Sequence, residues 1–400
     1  MKLMYRYKQF WKSHKLLMLS LHLILCSLFF TKVAIGNQPI LCKYKGEWQL
    51  FLFNSKPDDG SQLLADLSAE AQYDYHKLNY DFSIWPIMKL DAKEMDAESA
   101  WLPPFSKNQK GEFYLLGSYD LGRDTFAGCI YGLHKSLWLA ILTVLISGIL
   151  GIFIGSVFSF QSQRFEKMSL LSIVLFTVFL LLFFYTIIVE VEWKGLNFSL
   201  FLFLIALQLG ILFLGVYFLN KSPQYSFKMD FIGLRYIEIM KSIPVILILL
   251  ILLQIIKNPD VLSLAFIISL VYIPIVAKYA RVFTLAASNE LYINSIIAIG
   301  QTKTMIYWKH ILPKIISDII PILAFGIANI ILLEASLSFL GFGLALDDIS
   351  LGTMMFAARG NPSAWWVVVF PGLLVFWLVV TFNTFGEIWS DRKWIRDFQT

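Results

Sequence analysis

Residues 290–313 read ELYINSIIAIGQTKTMIYWKHILP, a polar-edged stretch set between long apolar runs. Ile293, Ile296, Ile297 and Ile299 recur at a spacing that suits one face of a short helix. Gly300 then interrupts that helix, as a left-handed or close-approach position would. A second helix is expected through Met305, Ile306 and Trp308, closing at His310, Leu312 and Pro313, with Pro313 free to sit in the first turn of the next helix. A short helix, a glycine and another short helix would form a rigid knob. Such a knob can dock into a groove on a soluble partner.

Outward from this stretch the chain is mostly apolar. It has 58% hydrophobic residues, 15% charged residues and a mean hydropathy of +0.67. A soluble chain carries roughly 25% charged residues, so there is too little charge here to wet the surface of 400 residues. About eight segments are long and apolar enough to cross a bilayer as helices. They lie near 15–35, 136–160, 170–189, 198–219, 237–256, 262–283, 319–340 and 364–385. The expected class is an all-α polytopic membrane protein.

Basic residues set the orientation. Lys2, Arg6, Lys8, Lys12 and Lys15 precede the first span, with no acid among them. They are expected to stay in the cytoplasm; the apolar stretch after them is long for a signal-peptide core, and Leu25 before Cys26 is too large for a lipoprotein cleavage site, so the first span reads as an uncleaved anchor. Crossing the spans in order puts 36–135 outside, a segment rich in acids such as Asp58, Asp59, Asp66 and Glu70. It puts 220–236 and 286–316 inside, with Lys221, Lys228, Arg235, Lys303, Lys309 and Lys314. Both termini come out cytoplasmic. Within 36–115 the sequence reads as a small α+β insert, with Tyr44–Glu47 at a hairpin turn.

The loop 290–313 resembles the cytoplasmic loop of permease subunits of ATP-binding-cassette (ABC) importers. That loop has the form E-A-A, three residues, Gly, nine residues, His-x-Leu-Pro. Gly300, His310, Leu312 and Pro313 fall at this spacing, and Tyr292 and Ala298 also fit. The E-A-A positions are Asn294, Ser295 and Ile296, so the family's acid is missing. Residues 116–137, LGSYDLGRDTFAGCIYGLHKSL, are similar to the loop before the second core span of the oligopeptide/dipeptide permeases. Gly117, Gly122, Arg123, Asp124, Tyr131 and Gly132 match, while Tyr119 and His134 depart. Residues 334–343, EASLSFLGFG, and the last span from Pro371 to Arg392 continue the likeness.

The resemblance implies a type I ABC importer permease fold. It implies an ATPase-coupling loop at 286–316 and a six-span core. The core would comprise a first span ending near 35, a second at 136–160 and the remainder in 228–400. The segment 161–227 has no counterpart and would be an inserted transmembrane hairpin. The implied partners are a homologous permease subunit forming a heterodimer, two ABC ATPase subunits and an extracytoplasmic substrate-binding protein. The implied place is the inner membrane, and the implied cargo a peptide.

Other residue patterns limit the alternatives. No G-x-x-x-x-G-K-[ST] occurs, so ATP hydrolysis by a P-loop is expected on separate subunits. No catalytic constellation, metal pattern or cofactor motif stands out. Cys26, Cys42 and Cys129 read as isolated thiols, with a Cys42–Cys129 disulfide as the sharper alternative. His310 reads as a packing or capping residue. Glu334, an acid inside an apolar run, is either a proton or cation site or a hydrogen-bonded structural carboxyl. A secondary transporter without an ATPase partner is the rival function, but it gives the His-x-Leu-Pro loop no role.

Overall fold

The computed structural model describes residues 15–35, 39–44, 47–50, 81–86, 92–107, 111, 113–164, 238, 242–255, 259–345 and 348–390. The expected spans at 170–189 and 198–219 lie outside the described residues. In chain order the elements begin with α1 (Lys15–Ala34) and the strands β1 (Leu41–Tyr44), β2 (Glu47–Leu50), β3 (Phe82–Ile84), β4 (Ser106–Lys107) and β5 (Phe113–Tyr114). The helices α2 (Thr125–Arg164), α3 (Val245–Ile255), α4 (Val261–Ser288) and α5 (Leu291–Ala298) follow. Then come α6 (Lys303–Ile306), α7 (Leu312–Leu340), α8 (Leu351–Ala357) and α9 (Trp366–Ser390).

Among the described residues, four helical stretches are long and apolar enough to cross a membrane: Thr125–Val157, Val261–Ser288, Lys303–Leu340 and Trp366–Ser390. The shortest of them, 25 residues, is about 37 Å long at 1.5 Å per residue. Helices α4, α7 and α9 carry Pro274, Pro321 and Pro371 in their interiors.

Two boundaries differ from the sequence expectation. Helix α2 starts at Thr125, well before residue 136, because Asp124 caps it. The Asp124 Oδ1 accepts from the Ala127 N–H at 2.6 Å. The polar residues His134 and Lys135 are therefore helical. The second difference lies beside Pro313. The helix begun at Lys303 does not close there but passes through a π turn, Tyr307–Ile311, into α7. Pro313 has no N–H for the Lys309 carbonyl, and the wider turn spans the residues just ahead of it.

The chain forms two compact units. One comprises 1–141 and 324–388. It holds an antiparallel sheet of order β2-β1-β3, in which Tyr44 stands opposite Glu47 across the hairpin. A second pair, β4–β5, lies in the same unit. Its core gathers Ala127 and Cys129 of α2, Met354 of α8 and Trp366 and Val367 of α9. Cys42 and Cys129 are both buried free thiols.

The other unit comprises 142–323 and 389–400. Asp260 caps α4 by accepting from the Ser263 N–H at 3.0 Å. Its packing uses glycines where backbones meet. A Cβ on Gly155 of α2 would lie 2.2 Å from the Ala277 carbonyl oxygen of α4.

Candidate functional site

The loop 290–313 folds as a knob with a sharply divided surface. Helix α5 ends in a Schellman motif. The Gly300 N–H bonds to the Ile297 carbonyl at 2.9 Å and the Gln301 N–H to the Ile296 carbonyl at 3.4 Å. Gly300 has φ +85°, and a Cβ there would meet nothing within 4 Å. Glycine is needed here for its backbone freedom, not for close approach.

The knob is anchored from beneath. Ile293, Ile306, Ile311, Ile315 and Ile319 are buried with Val276, Ala280 and Ala287 of α4 and Phe160 of α2. The Ser156 and Tyr307 hydroxyls are 2.7 Å apart, and the Phe160 and Tyr307 rings lie 5.6 Å apart. Glu290 pairs with Lys314, closing the loop at its base. His310 packs its ring 6.3 Å from Tyr292, edge to face. It caps no helix end, because the helix continues through it.

The outer surface is apolar and left uncovered by this chain. Leu291 is 85% exposed and Ile299 80%. Trp308, Tyr292 and Met305 are exposed with them. Asn294, Ser295, Ala298 and Gly300 are also exposed, Ile296 and Leu312 are half-buried, and Pro313 is exposed. The sequence motif therefore spans both faces. The Glu290–Lys314 pair and the Ser156–Tyr307 bond were not singled out in the sequence, because neither follows from local periodicity.

A different construction surrounds the start of α2. Gly117 has φ +81° and lies against Leu102, where a Cβ would sit 2.6 Å from the carbonyl oxygen. Gly122 has φ +73° and is tighter still, at 1.7 Å from the Asp96 carbonyl oxygen. Arg123 and Asp124 are buried. One Asp124 oxygen caps α2, and the other has no hydrogen-bond partner among the described residues. Burial pushes this carboxyl up to about 6, against the opposing pull of the Ala127 and Phe126 N–H groups.

Tyr131 presents its ring to the Lys135 ammonium at 5.6 Å and to Lys93 at 5.9 Å. A Cβ on Gly132 would lie 2.9 Å from the Leu351 nitrogen. Ser118 and Trp366 were not picked out in the sequence. The Trp366 Nε1–H donates to the Ser118 carbonyl at 2.9 Å, while the Ser118 Oγ accepts from the Leu102 N–H at 2.8 Å. Glu334, on α7, is fully buried and bonded to Ser136 and Ser338.

Residues 224–394 match the family model of the binding-protein-dependent transport system inner membrane component. The chain is 26% identical to the dipeptide transport system permease protein DppC of Haemophilus influenzae over 302 residues, 75% of this chain and 80% of that protein. Over residues 224–394 the chain is thus similar to inner-membrane permease components of binding-protein-dependent transport. The chain is also similar to DppC of Escherichia coli, at 30% identity over 155 residues, 38% of this chain and 51% of that protein. It is 30% identical over 159 residues to the glutathione transport system permease protein GsiD of Escherichia coli, covering 40% of this chain and 52% of that protein. The matched stretch 224–394 contains the knob, the Glu334 region and the last helix.

Proposed function

We propose that this permease is one of two homologous channel subunits of an ATP-driven peptide importer. The knob at 290–313 is its coupling element. Two ATPase subunits bind on the cytoplasmic side, and a substrate-binding protein delivers cargo from the other. Both termini and the knob face the cytoplasm, in keeping with the basic residues at Lys2, Arg6, Lys8 and Lys12 and at Lys303 and Lys309. Residues 36–135 form the extracytoplasmic insert. The named relatives carry dipeptides and glutathione, both peptides, and this supports a peptide cargo here.

The observation that carries the reading is the knob itself. Its buried isoleucines are locked beneath while Leu291 and Ile299 are left uncovered by the chain. An exposed apolar patch on a rigid base marks a docking surface. The knob's second segment is the opening of α7, so a push on the knob reaches a membrane-crossing helix without passing through a flexible joint. ATP-driven closure of the ATPases would shift the permease between two access states by binding them unequally. Asn294 stands where the family has an acid, so the permease does not hold its ATPase with a salt bridge at that position.

The test is ATP-dependent uptake of a labelled dipeptide by proteoliposomes holding the permease, its sister subunit, the ATPases and the binding protein. Gly300→Val forces a β-branched residue into left-handed backbone. It should lower uptake at least about tenfold while the ATPases still turn over and the permease stays in the membrane. Normal uptake by this variant removes the coupling role. Uptake that persists without ATP under a proton gradient favours a secondary transporter instead.

A further inference from the structure

Glu334 is a fully buried acid, and neither the coupling knob nor the named relatives gives it a task. It lies on α7, six positions from the end of that helix, with none of its surface exposed. Its Oε2 accepts from the Ser136 hydroxyl of α2 at 2.9 Å. Its Oε1 accepts from the Ser338 hydroxyl, one turn along α7, at 2.8 Å. The Ser350 hydroxyl is a third hydrogen-bonding neighbour. Ser350 is the N-cap of α8, where it accepts from the Thr353 N–H while Thr353 Oγ1 accepts from the Ser350 N–H. One carboxyl thus joins α2, α7 and the start of α8.

The backbone around it is packed to match. A Cβ on Gly352 of α8 would lie 2.5 Å from the Ser338 Cβ and 2.7 Å from the Ala335 carbonyl oxygen. A Cβ on Gly132 of α2 would lie 3.0 Å from the Ser350 carbonyl carbon. Gly343 approaches Ser338 as closely, its Cβ falling 2.0 Å from the hydroxyl oxygen. The short helix α8 is therefore wedged in the seam between α2 and α7, with Glu334 at its base.

No cation balances this acid among the described residues. The nearby Lys135 ammonium is bound to Asp348 at 2.6 Å. Hydroxyls supply dipoles but no charge, and an unpaired carboxylate in a membrane-buried seam is costly. A neutral carboxyl has no such cost. It can donate one hydrogen bond and still accept others, because serine hydroxyls rotate to either role.

We propose that Glu334 is a positioning residue that works as a neutral acid, holding α8 in the seam between α2 and α7. Amide chemistry should then replace it, since glutamine has the same shape and also both donates and accepts. The full-length permease is tested purified and in the assembled transporter. E334Q should keep the thermal midpoint within a few degrees of wild type and retain peptide uptake. E334A leaves the hydroxyls unpaired and opens a void, so its midpoint should fall by roughly 5 °C or more and its uptake several-fold. At pH 7 the infrared difference between wild type and E334Q should contain the carbonyl stretch of a protonated carboxyl.

E334Q as damaged as E334A, or carboxylate bands alone in that difference spectrum, would overturn the neutral form. An unchanged midpoint in E334A would overturn the positioning role. If E334A does not fold, E334Q and its spectrum still decide. The midpoints and spectra need no ATPase, so they stand or fall separately from the coupling role of the knob.

Discussion

The knob at 290–313 turns apolar side chains outward, and the segment around Gly122, Asp124 and Glu334 turns polar ones inward. Leu291 and Ile299 are left uncovered by the chain, while Asp124 and Glu334 are buried and bonded. Each region breaks the ordinary rule for side-chain placement, in opposite directions. A buried polar group must be satisfied locally or it destabilises the fold, so the inward region is a structural device. An exposed apolar group costs the isolated chain little, and its gain comes when something covers it. Two of the left-handed glycines, one from each region, make the same contrast in the backbone. Gly122 is hemmed in by Asp96, whereas Gly300 has open space around it.

That contrast is most easily broken by alanine at the two glycines. Gly122→Ala adds a Cβ 1.7 Å from a backbone oxygen, at φ +73°. Nothing flexible is there to give way, and we expect a loss of about 3 kcal/mol or more, read as a lowered unfolding midpoint. Gly300→Ala meets no atom and bears only the left-handed cost of about 1 kcal/mol. Equal losses from the two substitutions would show that crowding at Gly122 is not what distinguishes the regions.

The next effect is a dependence on pH. Burial raises the Asp124 carboxyl from 3.8 to about 6 in the folded chain. Between those values the folded state holds a proton that the unfolded state has released. Stability from this group is thus greatest below pH 4, falls as pH rises through that window, and is lost above about 6. The whole swing is roughly 2–3 kcal/mol. Asp124→Asn keeps the cap and should remove the pH dependence in this window. A variant that keeps the full slope would place its origin in another group.

Parts of both regions were legible in the sequence for physical reasons, and parts were not. The isoleucine spacing at 293–299 and the glycine after it are local signals, and they become α5 and its Schellman turn. Apolar length identifies α4, α7 and α9 without reference to any neighbour. The start of α2 was hidden because His134 and Lys135 read as the polar edge of a loop, yet the decisive Asp124 cap lies ahead of them. The continuity through Pro313 was hidden because a π turn leaves no mark in side-chain periodicity. The Ser136–Glu334 bond joins residues 198 positions apart, and no local pattern pairs them. The sequence named Glu334 and left its role open between a proton or cation site and a structural carboxyl. The fold supplies the partners that any such choice depends on.

A smaller effect tests how the knob is held. Ser156 and Tyr307 exchange a hydrogen bond of 2.7 Å beneath it. Ser156→Ala and Tyr307→Phe should each cost about 1 kcal/mol, and the double variant little more than either alone. Additive losses would show that the two hydroxyls have separate partners and do not anchor the knob together.

The smallest expected change in stability comes from the outer surface of the knob. Ile299→Asp removes an apolar side chain that packs against little of the chain, so the midpoint should shift by no more than about 0.5 kcal/mol equivalent. The same substitution puts a carboxylate into the patch that is proposed to meet the ATPase. Burial of an unpaired charge at an interface is costly, so co-purification of the ATPase with the permease should fall sharply. The pairing of these readouts matters more than either one. A loss of both stability and binding would mean that Ile299 supports the fold of the knob. Retention of both would mean that the patch is bare in the assembled transporter. Only unchanged stability with lost binding fits a surface whose apolar character exists for a partner.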